Sequence, residues 1–126
     1  VDMVWRALGP QRLSLVSDAS PALGAPYGRF QLGGFEVIHD ESGVRTVDGV
    51  LAGSALPLDQ AVRNLLEFTG CSLADALATV TSTPADLLGL ADRGRIVVGA
   101  RADFTIVDRT GDLHRTVIAG ETAWKS

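Results

Sequence analysis

Cysteine is nearly absent from this chain: Cys71 stands alone among 126 residues. One thiol can form neither an internal disulfide nor a cysteine-cluster metal site. It suits a reducing compartment, and a cytoplasmic location is the expectation. No apolar run approaches the ~20 residues that span a bilayer as a helix, so no membrane partner is expected. The opening "VDMVWRALGPQ" lacks the basic and long apolar stretches of a secretory signal. Position 1 is Val rather than Met, which suits a piece of a longer protein. Positive charge is also scarce. Lys and Arg number 11 against 15 Asp and Glu, a net charge of −4. Binding the phosphate backbone of a nucleic acid needs a basic face, so that class of partner is disfavoured. A small anionic substrate stays open, because one Arg and a few backbone N–H groups can hold one phosphate.

What the chain has is apolar mass. Hydrophobic residues make up 46 %, enough for the core of one ordinary domain and too many for wholesale disorder. Asp2 reads as the cap of a short first helix striped by Met3, Val4, Ala7 and Leu8 and stopped at Gly9-Pro10. An apolar run over residues 12–17 reads as a buried strand, so helix and strand together form one step of an α/β fold. After a loop rich in Pro and Gly come short β-type runs broken at Gly34, between Asp40 and Gly43, and at Asp48-Gly49. That is the chemistry of hairpins.

Helices are expected next. Pro57 suits a first helical position. Leu58, Ala61, Val62, Leu65 and Leu66 make one apolar face, which Gly70 ends. Ser72 and Asp75 have capping-box spacing for a second helix, and Thr83-Pro84 opens a third that Gly89 closes. Strands return at residues 96–98, 104–107, 116–119 and 122–124. The switch near Gly94 divides the chain into residues 1–93 and 94–126. No period of 20–50 residues repeats, so the chain is not a solenoid.

Few side chains stand where chemistry is done. Asp18 follows the apolar run of "LSLVSDAS", at the point where an α/β strand presents ligand-binding and catalytic groups. It reads equally as an Asx turn or a helix cap. "LAGSAL", residues 51–56, is a small-residue loop that either lets backbone approach a ligand or simply links a strand to a helix. His39 and His114 are far apart in sequence and suit exposed β turns better than a metal pair. Arg29, Arg63, Arg93 and Arg95 are possible anion binders, with Arg63 expected to face solvent. Cys71 has no neighbouring His to activate it.

Longer stretches resemble one family. "LSLVSDAS" with its Gly/Pro loop, "YGRFQLGGFEV" and "DGVLAGSALPLDQAVRNLLEFTG" are similar to the C-terminal part of N-acetylglucosamine-6-phosphate deacetylases of the amidohydrolase superfamily. So is the tail "TSTPADLLGLADRGRIVVGARADFTIVD", with Thr81, Pro84, Ala85, Gly89, Gly94, Ile96, Gly99, Ala102, Asp103 and Asp108 in the pattern. The tail alone is shared with dihydroorotase-like enzymes, whereas the SDA strand end, LAGSAL and DQAVRNLLE point to the sugar-phosphate deacetylases.

The resemblance implies an α/β chain: the C-terminal portion of a (β/α)8 amidohydrolase barrel over residues 1–93, plus the C-terminal strands of its small β-sandwich over 94–126. It implies that Asp18 is the general acid/base, taking a proton from metal-bound water and returning one to the leaving amine. It also implies that Leu51, Ala52 and Gly53 contact an amino-sugar phosphate. The family's metal ligands, a Glu and two His, lie on earlier strands with no counterpart here, and so does a substrate-binding His. A divalent metal, zinc or iron, is therefore implied for the complete enzyme and none for this chain alone. Two readings follow: an enzyme segment without activity of its own, or a non-catalytic, self-associating module. Either is expected to pair with a copy of itself or with the missing N-terminal portion, because unpaired apolar strand edges associate.

Overall fold

The computed structural model describes residues 1–126. In chain order the elements are α1 (Asp2–Leu8), β1 (Gly28–Leu32), β2 (Phe35–Asp40), β3 (Gly43–Thr46), α2 (Leu58–Thr69), α3 (Leu73–Ala78), α4 (Ser82–Leu87), β4 (Phe104–Val107), β5 (Leu113–Ile118) and β6 (Glu121–Lys125). They fall into two compact units: Val16–Ala61, and Val1–Leu15 together with Val62–Ser126. Gly94, where the sequence turns from helical to β-type, lies inside the second unit.

The first unit is built on an antiparallel sheet in the order β1-β2-β3. Leu32 pairs with Phe35 across Gly33 and Gly34, whose φ values of +56° and +97° are those a tight two-residue hairpin turn demands. Along β1 burial alternates, so Phe30 and Leu32 turn inward while Arg29 and Gln31 face water. Arg29 pairs there with Glu36 of β2. Ala22, Val37 and Val44 form the buried centre, joined by Phe30, Leu32, Ala52 and Ala55. A turn from Thr46 to Gly49 then reverses the chain, with Gly49 N–H donating to Thr46 O at 2.9 Å and Thr46 N–H to Val50 O at 2.8 Å.

The second unit packs helices over a separate core. Val62 and Leu65 of α2 and Ala76 of α3 are buried, with Trp5, Leu13, Leu15, Leu66, Leu77 and Val80 around them. Gly70, at φ +64°, ends α2 with its N–H on Leu66 O at 2.8 Å. Ser72 caps α3 through Asp75 N–H, as the spacing predicts. Its hydroxyl also donates to the Asp75 carboxylate at 2.7 Å. The remaining sheet has the order β4-β5-β6, fully antiparallel, with Phe104 opposite Val117.

Three local expectations are corrected. Residues 12–17 do not form a strand, and Arg12 still lies in the turn after α1, its N–H on Gly9 O at 3.4 Å. Extended backbone becomes a strand only where its polar groups meet a neighbouring strand in a ladder, and here the contacts to other elements are isolated, Leu15 N–H to Thr79 O at 3.1 Å and the Ser54 hydroxyl to Ser17 O. Residues 96–98 are irregular for the same reason, with Ile96 85 % exposed, despite a β-branched run. Asp2 is not a cap. Val1 holds the N-cap position, and Asp2 sits in the first turn, paired with Arg6.

Candidate functional site

The apolar run ends where two distant segments of the first unit meet. Ala19 bridges Ser54 in parallel register. Ser54 N–H donates to Asp18 O at 2.7 Å, and Ser20 N–H donates to Ser54 O at 2.8 Å. The Ser54 hydroxyl donates to Ser17 O and accepts from Leu56 N–H at 3.0 Å. Asp18 is thus enclosed by bonds to one residue of the LAGSAL loop.

Asp18 itself is exposed and has φ +50°, the left-handed region that non-glycine residues seldom occupy. Its carboxylate takes no hydrogen bond or cation from the protein. The cap reading of this side chain does not hold. The turn that follows is closed by Ser20, whose carbonyl accepts from Leu23 N–H at 3.1 Å and whose hydroxyl accepts from Ala22 N–H at 3.3 Å. The carboxylate is thus left in solvent, on a backbone pinned from both sides.

The loop residues stand beside it. Gly53 has φ +82°, and a Cβ there would lie 2.8 Å from Asp18 O. Ala52 points into the core cluster and its N–H donates to Val44 O at 2.9 Å, so that group does not face a ligand. Leu51 bridges Arg45 and leaves its side chain 66 % exposed. The three form one strip, Leu51 at its exposed end and Gly53 against Asp18.

The other candidates lie elsewhere. Arg93 pairs with Asp92 and Arg95 with Asp86. Arg63 does not face solvent: its side chain is three-quarters buried and donates to Gly111 O at 3.3 Å. His39 stacks edge-on against Tyr27, ring centroids 4.9 Å apart, in the first unit. His114 stands on β5 in the second, 3.7 Å from the Asp108 carboxylate. Cys71 packs against the α2 core. No three His, Cys, Asp or Glu side chains are grouped to hold a metal ion, so the chain's own residues do not fit the metal the resemblance implies. Ser54 is the residue sequence reading passes over. It was legible only as a small polar residue after Gly53, with nothing to show that it reaches Ser17 and Asp18.

Comparison with known proteins identifies the family. The amidohydrolase family model matches residues 37–123. An N-acetylglucosamine-6-phosphate deacetylase of Lysinibacillus sphaericus is 41 % identical over 95 % of this chain and 31 % of its own length. A putative N-acetylgalactosamine-6-phosphate deacetylase of Escherichia coli K12 is 39 % identical over 90 % of this chain and 68 % of its own. The crystal structure of the Thermotoga maritima N-acetylglucosamine-6-phosphate deacetylase superposes with a TM-score of 0.93 at 35 % identity, over 99 % of this chain and 34 % of the other. The chain belongs to the amidohydrolase family, as a segment spanning about a third of the length of N-acetylglucosamine-6-phosphate deacetylases such as that of L. sphaericus.

Proposed function

We propose that this chain is the segment of a hexosamine-6-phosphate deacetylase that carries its general acid/base, Asp18, and the substrate strip Leu51, Ala52 and Gly53. The observation that carries the reading is the exposed, unbonded Asp18 carboxylate on a left-handed residue fixed by Ser54 beside Gly53. Hydrolysis of the N-acetyl group needs a water to attack the amide carbon and the amine to leave. Asp18 takes the proton the water sheds as the new C–O bond forms. It then protonates the nitrogen as the C–N bond breaks, giving acetate and the amino sugar and regenerating the carboxylate. The substrate class is an amino-sugar phosphate, with the gluco and galacto epimers both carried in the names of relatives.

In this reading α1 is the last helix of a (β/α)8 barrel, and residues 12–17, without a ladder partner in this chain, become its last strand only beside neighbouring strands of the further polypeptide. Residues 1–93 belong to the barrel, and 94–126 are the closing strands of a β-sandwich. The segment is inactive by itself and works with a further portion of polypeptide, in the cytoplasm. Exposed apolar side chains on both faces of β4–β6, Ile106 on one at 45 % and Trp124 on the other at 46 % exposure, favour a second role in self-association.

The test is a chimera in which this chain replaces the aligned third of the L. sphaericus deacetylase. Acetate release from N-acetylglucosamine 6-phosphate is expected, and D18N should reduce kcat by about 10²–10⁴-fold without unfolding the protein. A D18N chimera within tenfold of its parent would remove Asp18 from the chemistry.

A further inference from the structure

We propose that Ser54 is the positioning residue of Asp18: it fixes both backbone torsions of the aspartate and so aims its carboxylate. This rests on the reading of Asp18 as the general acid/base. The direction of a side chain leaving Cα is set by the two peptide planes that flank it, one on the N-terminal side and one on the C-terminal side. For Asp18 the oxygens that mark those planes are Ser17 O and Asp18 O. Ser54 holds both, the first through its hydroxyl and the second through its N–H at 2.7 Å. Its carbonyl then takes Ser20 N–H at 2.8 Å, which secures the next peptide.

The hydroxyl is the irreplaceable part of the clamp. The N–H and carbonyl of Ser54 belong to the backbone and would survive any side-chain change. Ser17 O, by contrast, accepts from the hydroxyl and from no backbone N–H. The hydroxyl is in turn oriented, because Leu56 N–H donates to it at 3.0 Å and leaves its own proton for Ser17 O. Without it the plane preceding Asp18 can rotate. An Asp at φ +50° then relaxes toward negative φ, the steric preference of any residue with a Cβ. That rotation redirects the carboxylate. Ser54 touches no substrate in this scheme and acts only through Asp18.

Two measurements test it. On the 126-residue chain, NMR coupling constants and Cα/Cβ shifts at Asp18 report its φ directly. The left-handed signature is expected in the parent, lost in S54A and kept in S54T, whose hydroxyl is preserved. In the chimera, S54A should lower kcat by 10- to 100-fold with KM within about twofold, as misplacement of a reacting group does, and S54T should restore it. The failures are separable. A fully active D18N chimera refutes the catalytic reading, and the NMR arm then decides the clamp alone. An Asp18 that keeps its left-handed signature in S54A, or lacks it in the parent chain, overturns the positioning role. So does an S54A chimera with unchanged kcat while D18N is inactive.

Discussion

Gly53 and Asp18 approach so closely that a Cβ on the glycine would sit 2.8 Å from the aspartate's carbonyl oxygen. Real Cβ atoms do not come that near to backbone oxygen, and φ +82° adds a second penalty for any L side chain. The glycine is therefore required by backbone-to-backbone packing, whatever else passes over the loop.

G53A is expected to destabilise the first unit by about 1–3 kcal/mol, through the left-handed penalty and the displaced Asp18 carbonyl. Its effect in the chimera should fall on kcat as well as KM, because the atom that must move belongs to Asp18. Urea midpoints of the chain and steady-state kinetics of the chimera check the two halves. A loss confined to KM, at unchanged stability, would instead mark a loop that matters only through contact with the sugar.

The backbone of Asp18 carries a cost of its own. A non-glycine residue in the left-handed region is disfavoured, and Asp tolerates it better than most without escaping it. Since the carboxylate makes no bond within the protein, its removal forfeits no interaction. D18G is therefore expected to leave the chain at least as stable as its parent, with a gain of up to about 1 kcal/mol. Relief of the left-handed strain outweighs the extra freedom of glycine in the unfolded chain. Denaturant titration reads the difference, and a clear loss of stability would mean that the side chain supports the fold.

Local chemistry made much of the fold legible. The hairpin signal around Gly34 needs only left-handed turn residues between alternating strands, and Leu32 pairs with Phe35 there. The stripe of α2 buries Ala61, Val62 and Leu65, and Ser72 caps α3 through a residue three positions on. These features are decided within a few residues. Residues 12–17 show where such reading stops. Leu13 and Leu15 are apolar because they join the core around Leu65, and that much is correct. Whether they form a strand depends on what lies beside them, which no local pattern records. Residues 96–98 fail alike. At the site, Asp18 stood out because an acid after an apolar run is unusual. Ser54 did not, because its hydroxyl acts on Ser17, 37 residues earlier. A lone acid after an apolar run can be picked out from sequence as a candidate, whereas support across a long loop becomes visible only in the fold.

The turn between β4 and β5 should make the second unit sensitive to acid. Asp108 accepts from the Thr110 hydroxyl at 2.7 Å, and from the N–H groups of Thr110 and Asp112 at 2.8 and 2.9 Å. Foremost the Thr110 hydroxyl, then Asp112 N–H, lower its carboxyl from 3.8 to about 2, with a smaller contribution from His114. Hydrogen bonds to the charged form favour that form. A carboxyl that ionises more readily folded than unfolded stabilises the fold above its unfolded pKa, near 3.9, and loses that contribution as pH falls toward 2. D108N keeps an oxygen that can accept but carries no charge. It should therefore be less stable than its parent at neutral pH, and the gap should close steadily between about pH 4 and pH 2. Urea midpoints across that range test the linkage, and a carboxyl-carbon NMR titration of Asp108 tests its cause. A difference that persists unchanged to pH 2, or an Asp108 that titrates near 4, would show that the turn is held by its backbone alone.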